Sequence, residues 1–154
     1  MKAAEKSRFG KLVAYLLDPQ GKKTRVGEVV ITNCVSSDTT WAVREITATQ
    51  RLNARAISDR TYHLLVSLRA GENPDAQTLR MIEERFCNAL GYAEHQRVSV
   101  VHHDTDNVHI HVAINKIHPR TLTVHDPIRD YITLKICSAV LRTRLQLCVS
   151  ARKR

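Results

Sequence analysis

The feature that most constrains the fold of this chain is a pair of β-branched runs joined by four turn-forming residues. The runs extend from Arg97 to His103 and from Val108 to Ile117, and Asp104-Thr105-Asp106-Asn107 separates them. Asp and Asn favour tight turns because their short side chains hydrogen-bond to the nearby backbone. The pattern therefore predicts an antiparallel β-hairpin with its turn centred on Thr105 and Asp106.

That turn determines which histidines are neighbours. Counting outward from it places His102 opposite His109, and the alternation of side chains puts His111 on the same sheet face as His109. Three imidazoles supply three nitrogen ligands and leave coordination positions open, as a catalytic metal site requires. We expect His102, His109 and His111 to bind a metal; the alternative is that His109 and His111 are only the solvated side of a strand. His103 falls on the opposite face, where we expect it to be structural or exposed.

Two further polar residues lie beside these histidines. Asp104 is placed to accept a hydrogen bond from an imidazole N–H and so to orient the ring, and turn formation is its alternative role. Asn115 lies an even number of positions from His109 and His111, so it is expected on the same face of the strand. Its amide is there available to donate to a phosphate. An ordinary hydrogen bond on the sheet face is the alternative for Asn115.

Apolar periodicity predicts the other elements. Apolar residues three and four positions apart indicate four helices: Arg8 to Leu17, Asp38 to about Asn53, one opened by Asn73-Pro74 that stops at Gly91, and one opened by Asp126-Pro127. Runs of β-branched residues predict strands at Val26 to Thr32 and Thr61 to Leu68. The expected inward positions include Trp41 or Ala42, Ile46, Leu52 and Tyr131. We expect the last helix to end in a basic tail, Ala151-Arg152-Lys153-Arg154.

The charge balance limits the class of partner. Lysine and arginine number 24 against 15 acidic residues, which gives a formal net charge of +9. This surplus favours a polyanion, and with only 5% aromatic residues the chain is better suited to a phosphate backbone than to broad base stacking. Its 154 residues predict a single domain over 1–154. No apolar run approaches the roughly 20 residues of a membrane span, and no signal peptide is recognisable, so we expect a cytoplasmic protein.

Three segments resemble the motifs of a known family. The hairpin follows the pattern H-x-D-x4-H-x-H-x3-N from His102 to Asn115, which resembles the third motif of P-type conjugative relaxases in the HUH endonuclease superfamily. The segment Thr61 to Ser67, followed by Arg69-Ala70-Gly71-Glu72, resembles the second motif, and Phe9 to Tyr15 resembles the first. The likeness runs from about Ser7 to Pro127, in a core of residues 1–130, and residues 131–154 form a divergent C-terminal helix and basic tail.

This resemblance implies a fold and a set of roles. It implies an α+β fold with a ferredoxin-like or palm-like antiparallel sheet, helices packed on one face, and single-stranded DNA crossing the other. It implies that Tyr15 is the nucleophile, with Ser67 and Asp104 also in the catalytic site. The residues expected to hold Mg²⁺ or Mn²⁺ are His102, His109 and His111, and those expected to contact DNA are Ser67, Arg69 and Asn115.

The implied function is the nicking and joining of one strand at a plasmid origin of transfer. A phenol is a poor nucleophile at neutral pH, so a divalent ion on the scissile phosphate suits the reaction. Attack by Tyr15 leaves a 5′-phosphotyrosyl bond and a 3′-hydroxyl, which allows resealing without ATP. The implied partners are single-stranded or supercoiled plasmid DNA, a relaxosome accessory protein and a type IV coupling protein, with no membrane insertion.

Several alternatives remain open from the sequence. Few residues precede Arg8, where relaxases usually have a strand, and the likeness fades after Asp130, so we expect a truncated or frameshifted product. Such a chain is either an active nicking enzyme or a non-catalytic DNA-binding remnant or regulator. Tyr131 and Lys135 resemble the tyrosine and lysine of replication-initiator HUH nucleases, which makes Tyr131 the second candidate nucleophile. A general metal-dependent phosphoesterase is a further possibility.

Overall fold

The protein is described here by a computed structural model that covers residues 8–56, 59–103 and 106–154. Four helices and five strands lie along these ranges. The helices are α1 (Arg8–Leu17), α2 (Thr39–Leu52), α3 (Ala76–Ala89) and α4 (Asp130–Leu145), and the strands are β1 (Val26–Thr32), β2 (Thr61–Leu68), β3 (Arg97–His102), β4 (His109–Asn115) and β5 (Val149–Lys153).

The five strands form one sheet in the order β1-β3-β4-β2-β5, and every neighbouring pair is antiparallel. The expected hairpin is present as β3 and β4, and its register is the predicted one, with His102 opposite His109. The α+β class with an antiparallel sheet is therefore confirmed.

The helices cover both faces of the sheet, which corrects the expectation that they pack on one. On one face α3 and α4 enclose a core that includes Leu64, Ile82 and Leu134. On the other face α1 and α2 pack against alternate residues of β3 and β4, including Val100 and Ala113. The reason lies in β3 and β4, which carry apolar side chains on both faces of the sheet. Each of these faces therefore needs an apolar cover.

The basic C-terminal segment is a strand, whereas the sequence predicted only a tail. β5 pairs with β2 from Val149 opposite Leu68 to Lys153 opposite Leu64. Helix α4 ends where Gln146 adopts a left-handed backbone conformation with a φ of 54°. The chain then reverses and supplies partners to the backbone groups of β2, which would otherwise form an unpaired edge.

Two helix starts differ from the predicted ones. Asp75, rather than Asn73, caps α3, because its carboxylate accepts a 2.7 Å hydrogen bond from the Thr78 N–H. Helix α4 begins at Asp130, four residues after the Asp126-Pro127 signal, because the Asp126 carboxylate pairs with the buried Lys116 ammonium at 2.9 Å instead of capping a helix.

The predicted inward positions are partly correct. Ala42 and Ile46 are fully buried, whereas Trp41, Leu52 and Tyr131 are more than half exposed. These three side chains lie on the outer sides of α2 and α4, away from the sheet. Within the described ranges, none of the helices has both the length and the apolar character needed to cross a membrane.

Candidate active site

One side of the sheet, which we call the histidine face, is the side to which His102, His109 and His111 point. Residues directly opposite each other in antiparallel strands share a face. A first row on this face runs across β3, β4, β2 and β5 through His102, His109, Ser67 and Ser150. The hairpin register places His102 beside His109, and the pairing of β2 with β4 places the predicted catalytic Ser67 beside His109.

A second row lies next to the first. It runs through Val100, His111, Leu65 and Arg152 on the same four strands. Helix α1 packs over the Val100 end of this row, where Phe9, Val13 and Leu16 form an apolar cluster with it. Leu65 is buried, but Ser67 on β2 is partly exposed and Ser150 and Arg152 on β5 are exposed, so the β5 edge of the face is the accessible one.

Ser67 contacts the ring of His109. Its hydroxyl oxygen lies 3.0 Å from the Nδ1 atom of His109, within hydrogen-bond distance. This contact involves Nδ1, so a metal bound by His109 would take Nε2. A hydrogen bond to the second nitrogen is the usual way in which proteins orient an imidazole ligand.

His63 belongs to the site, and the sequence analysis missed it. Its Nε2 atom lies 2.9 Å from the Nδ1 atom of His111, and the two ring centroids are 5.2 Å apart. The signal was available: His63 precedes Ser67 by four residues in a strand, and such positions share a face. His63 therefore holds His111 much as Ser67 holds His109.

Burial keeps two of these imidazoles neutral. The pKa of His111 is lowered to about 3, first by burial and then by the neighbouring His102 and His63. Burial and the nearby Arg154 guanidinium lower the pKa of His63 to about 4. Both rings are therefore unprotonated at neutral pH, which is the form that binds a metal.

His102 connects the sheet to the end of α1. Its side chain is fully buried, and its Nε2 atom lies 2.6 Å from the carbonyl oxygen of Leu16. A carbonyl only accepts, so Nε2 carries the proton in this contact. The carbonyl groups of a last helical turn lack helical partners, and His102 satisfies one of them.

Tyr15 lies next to this connection, on the last turn of α1. Its side chain is 46% exposed, and the Arg25 guanidinium lies over its ring, 5.5 Å from the centroid. Arg25 is held in turn by the carbonyl oxygens of Tyr15 and Asp18. Arg25 immediately precedes Val26, the β1 partner of His102. Arg25 therefore links the ring of Tyr15 to the β1 strand that pairs with His102.

The donor set suits a divalent ion, although the residues that the structure describes form no preformed site. The ring centroids of His102 and His111 are 4.5 Å apart, and those of His109 and His111 are 6.4 Å apart. Within residues 8–56, 59–103 and 106–154, however, no three His, Cys, Asp or Glu side chains are arranged to hold a metal ion.

The remaining predicted site residues have different outcomes. Asn115 is fully buried, its amide donates to Gln96 and its oxygen accepts from the Ile117 N–H. We correct its expected DNA contact: its polar groups are used inside the protein at the end of β4. Arg69 is exposed in the turn after β2. Asp104 lies outside the described residues.

Tyr131, the second candidate nucleophile, lies on the other side of the sheet. Helix α4 packs on the face opposite the histidines. Asp130, next to Tyr131, accepts a 2.7 Å hydrogen bond from Tyr62, whose side chain belongs to that opposite core. The sheet therefore separates Tyr131 from the histidine face.

Comparison with known proteins shows which family the chain resembles. The family described as "Relaxase: MobA/VirD2-like, nuclease domain" matches residues 15–147. The chain is 56% identical over 141 residues to Protein TraI of Escherichia coli, which covers 92% of this chain and 19% of that protein. A second Protein TraI of Escherichia coli is 52% identical over 143 residues, with the same coverage.

A more distant relative is Protein MobA of Acidithiobacillus ferrooxidans, which is 41% identical over 66 residues, or 43% of this chain and 16% of that protein. No solved structure matches the chain significantly. The chain spans about a fifth of the length of the TraI relatives. The match over residues 15–147 shows that the chain belongs to the MobA/VirD2-like relaxase nuclease family.

Proposed function

We propose that this protein nicks and rejoins one DNA strand at a plasmid origin of transfer, with Tyr15 as the nucleophile. The observation that carries the proposal is the contact between His102 and the Leu16 carbonyl, which fixes the last turn of α1 against the histidine face. This contact joins the helical turn that carries the half-exposed Tyr15 to the first row of the histidine face. A nucleophile and the groups that bind the scissile phosphate need such a fixed relationship.

The reaction exchanges one phosphoester for another. The phenolic oxygen of Tyr15 forms a bond to phosphorus, the bond from phosphorus to the 3′ oxygen breaks, and the proton lost by the phenol is balanced by one gained by the 3′ oxygen. The products are a 5′-phosphotyrosyl protein and a free 3′-hydroxyl. Because the number of phosphoester bonds is unchanged, the reverse reaction reseals the strand.

His102, His109 and His111 are the residues that would hold Mg²⁺ or Mn²⁺. A bound divalent ion would polarise the scissile phosphate and neutralise the charge that develops on it. Ser67 and His63 orient two of these imidazoles through their Nδ1 atoms. Arg25 places a positive charge beside the phenol.

The proposed partners follow from the charge and the family. The net charge of +9 suits the phosphate backbone of single-stranded or supercoiled plasmid DNA. We extend the proposal to a relaxosome accessory protein and a type IV coupling protein, and to action in the cytoplasm, where plasmid DNA is processed.

The test is a nicking assay with supercoiled plasmid that carries an origin of transfer. The protein is incubated with Mg²⁺ or Mn²⁺, and detergent and protease are then added. We expect nicked circles and a tryptic peptide that contains Tyr15 and retains a nucleotide, identified by mass spectrometry. Tyr15→Phe should abolish both signals.

Tyr131→Phe is the matched control, because it removes the same hydroxyl from the other side of the sheet. It should nick at the rate of the unmodified protein. If Tyr15→Phe still cleaves at full rate, the assignment of the nucleophile is wrong. If the unmodified protein binds the plasmid but never nicks it, the chain is a DNA-binding regulator rather than an enzyme.

A further inference from the structure

We propose that β5 forms a phosphate-binding edge of the histidine face, in which Arg152 and Arg154 hold the backbone of the single DNA strand beside the nick. The inference rests on the proposed function, since it places the strand on the same face as Tyr15. The family match ends at residue 147, before β5 begins at Val149, so membership of the family assigns no role to this strand.

The register of β5 puts both arginines on the histidine face. Arg152 lies opposite Leu65, which in turn lies opposite His111. The N–H of Arg154 donates to the carbonyl of His63 at 2.9 Å, which continues the ladder by one residue. With strands about 4.8 Å apart, the Cα of Arg152 is roughly 10 Å from that of His111. An extended arginine side chain spans much of this distance.

Lys153 lies between the two arginines in sequence and points the other way. It is opposite Leu64, a residue of the core covered by α3 and α4, and its ammonium lies 5.2 Å from the centroid of the Tyr62 ring. Because side chains alternate between the two faces along β5, Arg152 and Arg154 lie on the histidine face and Lys153 lies on the opposite face. This arrangement provides an internal control for the proposal.

The two arginines are available to an anion. Both are exposed. In the described part of the chain neither of them forms an ion pair with a carboxylate. Guanidinium groups bind phosphate oxygens with two parallel hydrogen bonds, which makes arginine well suited to a DNA backbone. Ser150, in the row of Ser67 and His109, adds a hydroxyl at the same edge.

The test measures binding of a fluorescently labelled single-stranded oligonucleotide as a function of salt, by anisotropy. All proteins carry Tyr15→Phe, so that no cleavage occurs. For single strands the slope of log affinity against log salt is about −0.7 per neutralised phosphate. We expect the double change Arg152→Gln and Arg154→Gln to make the slope shallower by about 1.4, and Arg152→Gln alone to account for about half of that.

Lys153→Gln removes one charge from the same strand and should leave the slope unchanged. The proposal is overturned if the double variant keeps the parent slope while its far-UV circular dichroism is unaltered, or if Lys153→Gln flattens the slope as much as Arg152→Gln. Should the double variant fail to fold, the single Arg152→Gln comparison with Lys153→Gln decides the question in the same way.

The outcome is separable from that of the nicking assay. A chain that never nicks but shows the expected change in slope contradicts the proposed function and supports the phosphate-binding edge. A chain that nicks normally, while the double variant keeps the parent slope, contradicts the edge and leaves the proposed function intact.

Discussion

His102 and Leu16 are joined by a contact of 2.6 Å between an imidazole nitrogen and a backbone carbonyl, although they lie 86 positions apart in the chain. The contact connects the end of α1 to the β3 strand of the hairpin. It links the packing of the protein to its proposed chemistry, because Tyr15 precedes Leu16 and His102 begins the first row of the histidine face.

Replacing His102 should therefore lower stability as well as activity. In His102→Ala the buried carbonyl of Leu16 loses its donor, and we expect the free energy of unfolding to fall by about 1–3 kcal/mol. The measurement is urea denaturation in the presence of a chelator, so that metal binding makes no contribution.

The control for this change is the neighbouring His103→Ala. His103 is exposed, and its backbone N–H, which donates to the Arg25 carbonyl, is retained in the variant. We expect its unfolding free energy to remain within about 0.5 kcal/mol of the parent. Equal stability of His102→Ala and His103→Ala would show that the contact with Leu16 contributes nothing.

His109→Ala and His111→Ala should separate nicking from DNA binding. Loss of either imidazole removes a proposed metal ligand, so we expect metal-dependent nicking to be lost. Most of the affinity for DNA comes from lysine and arginine contacts to phosphates, so it should be largely retained. The measurements are the nicking assay and oligonucleotide anisotropy on the same preparations, with His103→Ala as the comparison.

The lowered pKa values of His63 and His111 predict acid sensitivity of the metal-free protein. Their folded-state values of about 4 and about 3 lie below the ordinary value of 6.5, so the unfolded chain binds more protons between these limits. Stability should be complete above pH 6.5 and should decrease as the pH falls below it.

Unfolding free energies measured between pH 7.5 and 4.5 with a chelator would test this prediction. His63→Gln removes one of the two titrating groups and should flatten the dependence on pH below about 6.5. A pH dependence identical to that of the parent protein would mean that His63 does not contribute to it.

A buried ion pair on the other face predicts a large loss of stability. The Arg97 guanidinium nitrogen Nε and the Glu83 carboxylate are 2.6 Å apart, and both side chains are almost fully buried. Ser99 also donates to that carboxylate at 2.8 Å. Glu83→Ala leaves Arg97 buried without its counter-charge, so we expect a loss of about 3–5 kcal/mol.

Glu84→Ala is the matched control, because Glu84 is the next residue of α3 and its side chain is exposed. Its unfolding free energy should change by no more than about 0.5 kcal/mol. Denaturation curves of the two variants in parallel would show whether burial of the carboxylate, rather than the loss of negative charge, is responsible.

Much of this architecture was predictable because it depends on residues close together in the chain. The apolar stripe of α1 and the β-branched run of β2 predicted both elements with their observed bounds, Arg8–Leu17 and Thr61–Leu68. The turn between β3 and β4 predicted the pairing of His102 with His109, since a short hairpin loop sets the register of its strands. The motif pattern indicated the relaxase family, which the comparisons confirm.

The sequence by itself determined the local elements, the hairpin register and the family, because periodicity, turn chemistry and motif spacing act over a few residues. Only the tertiary structure decided that both sheet faces are covered, that Asn115 is buried, that His63 orients His111, and that the basic C-terminal segment pairs with β2. Each of these depends on which distant segment supplies an apolar surface or a hydrogen-bond partner. Such partners are set by the packing of the whole chain. The spacing of His63 from Ser67 indicated a shared strand face, but not which imidazole His63 contacts.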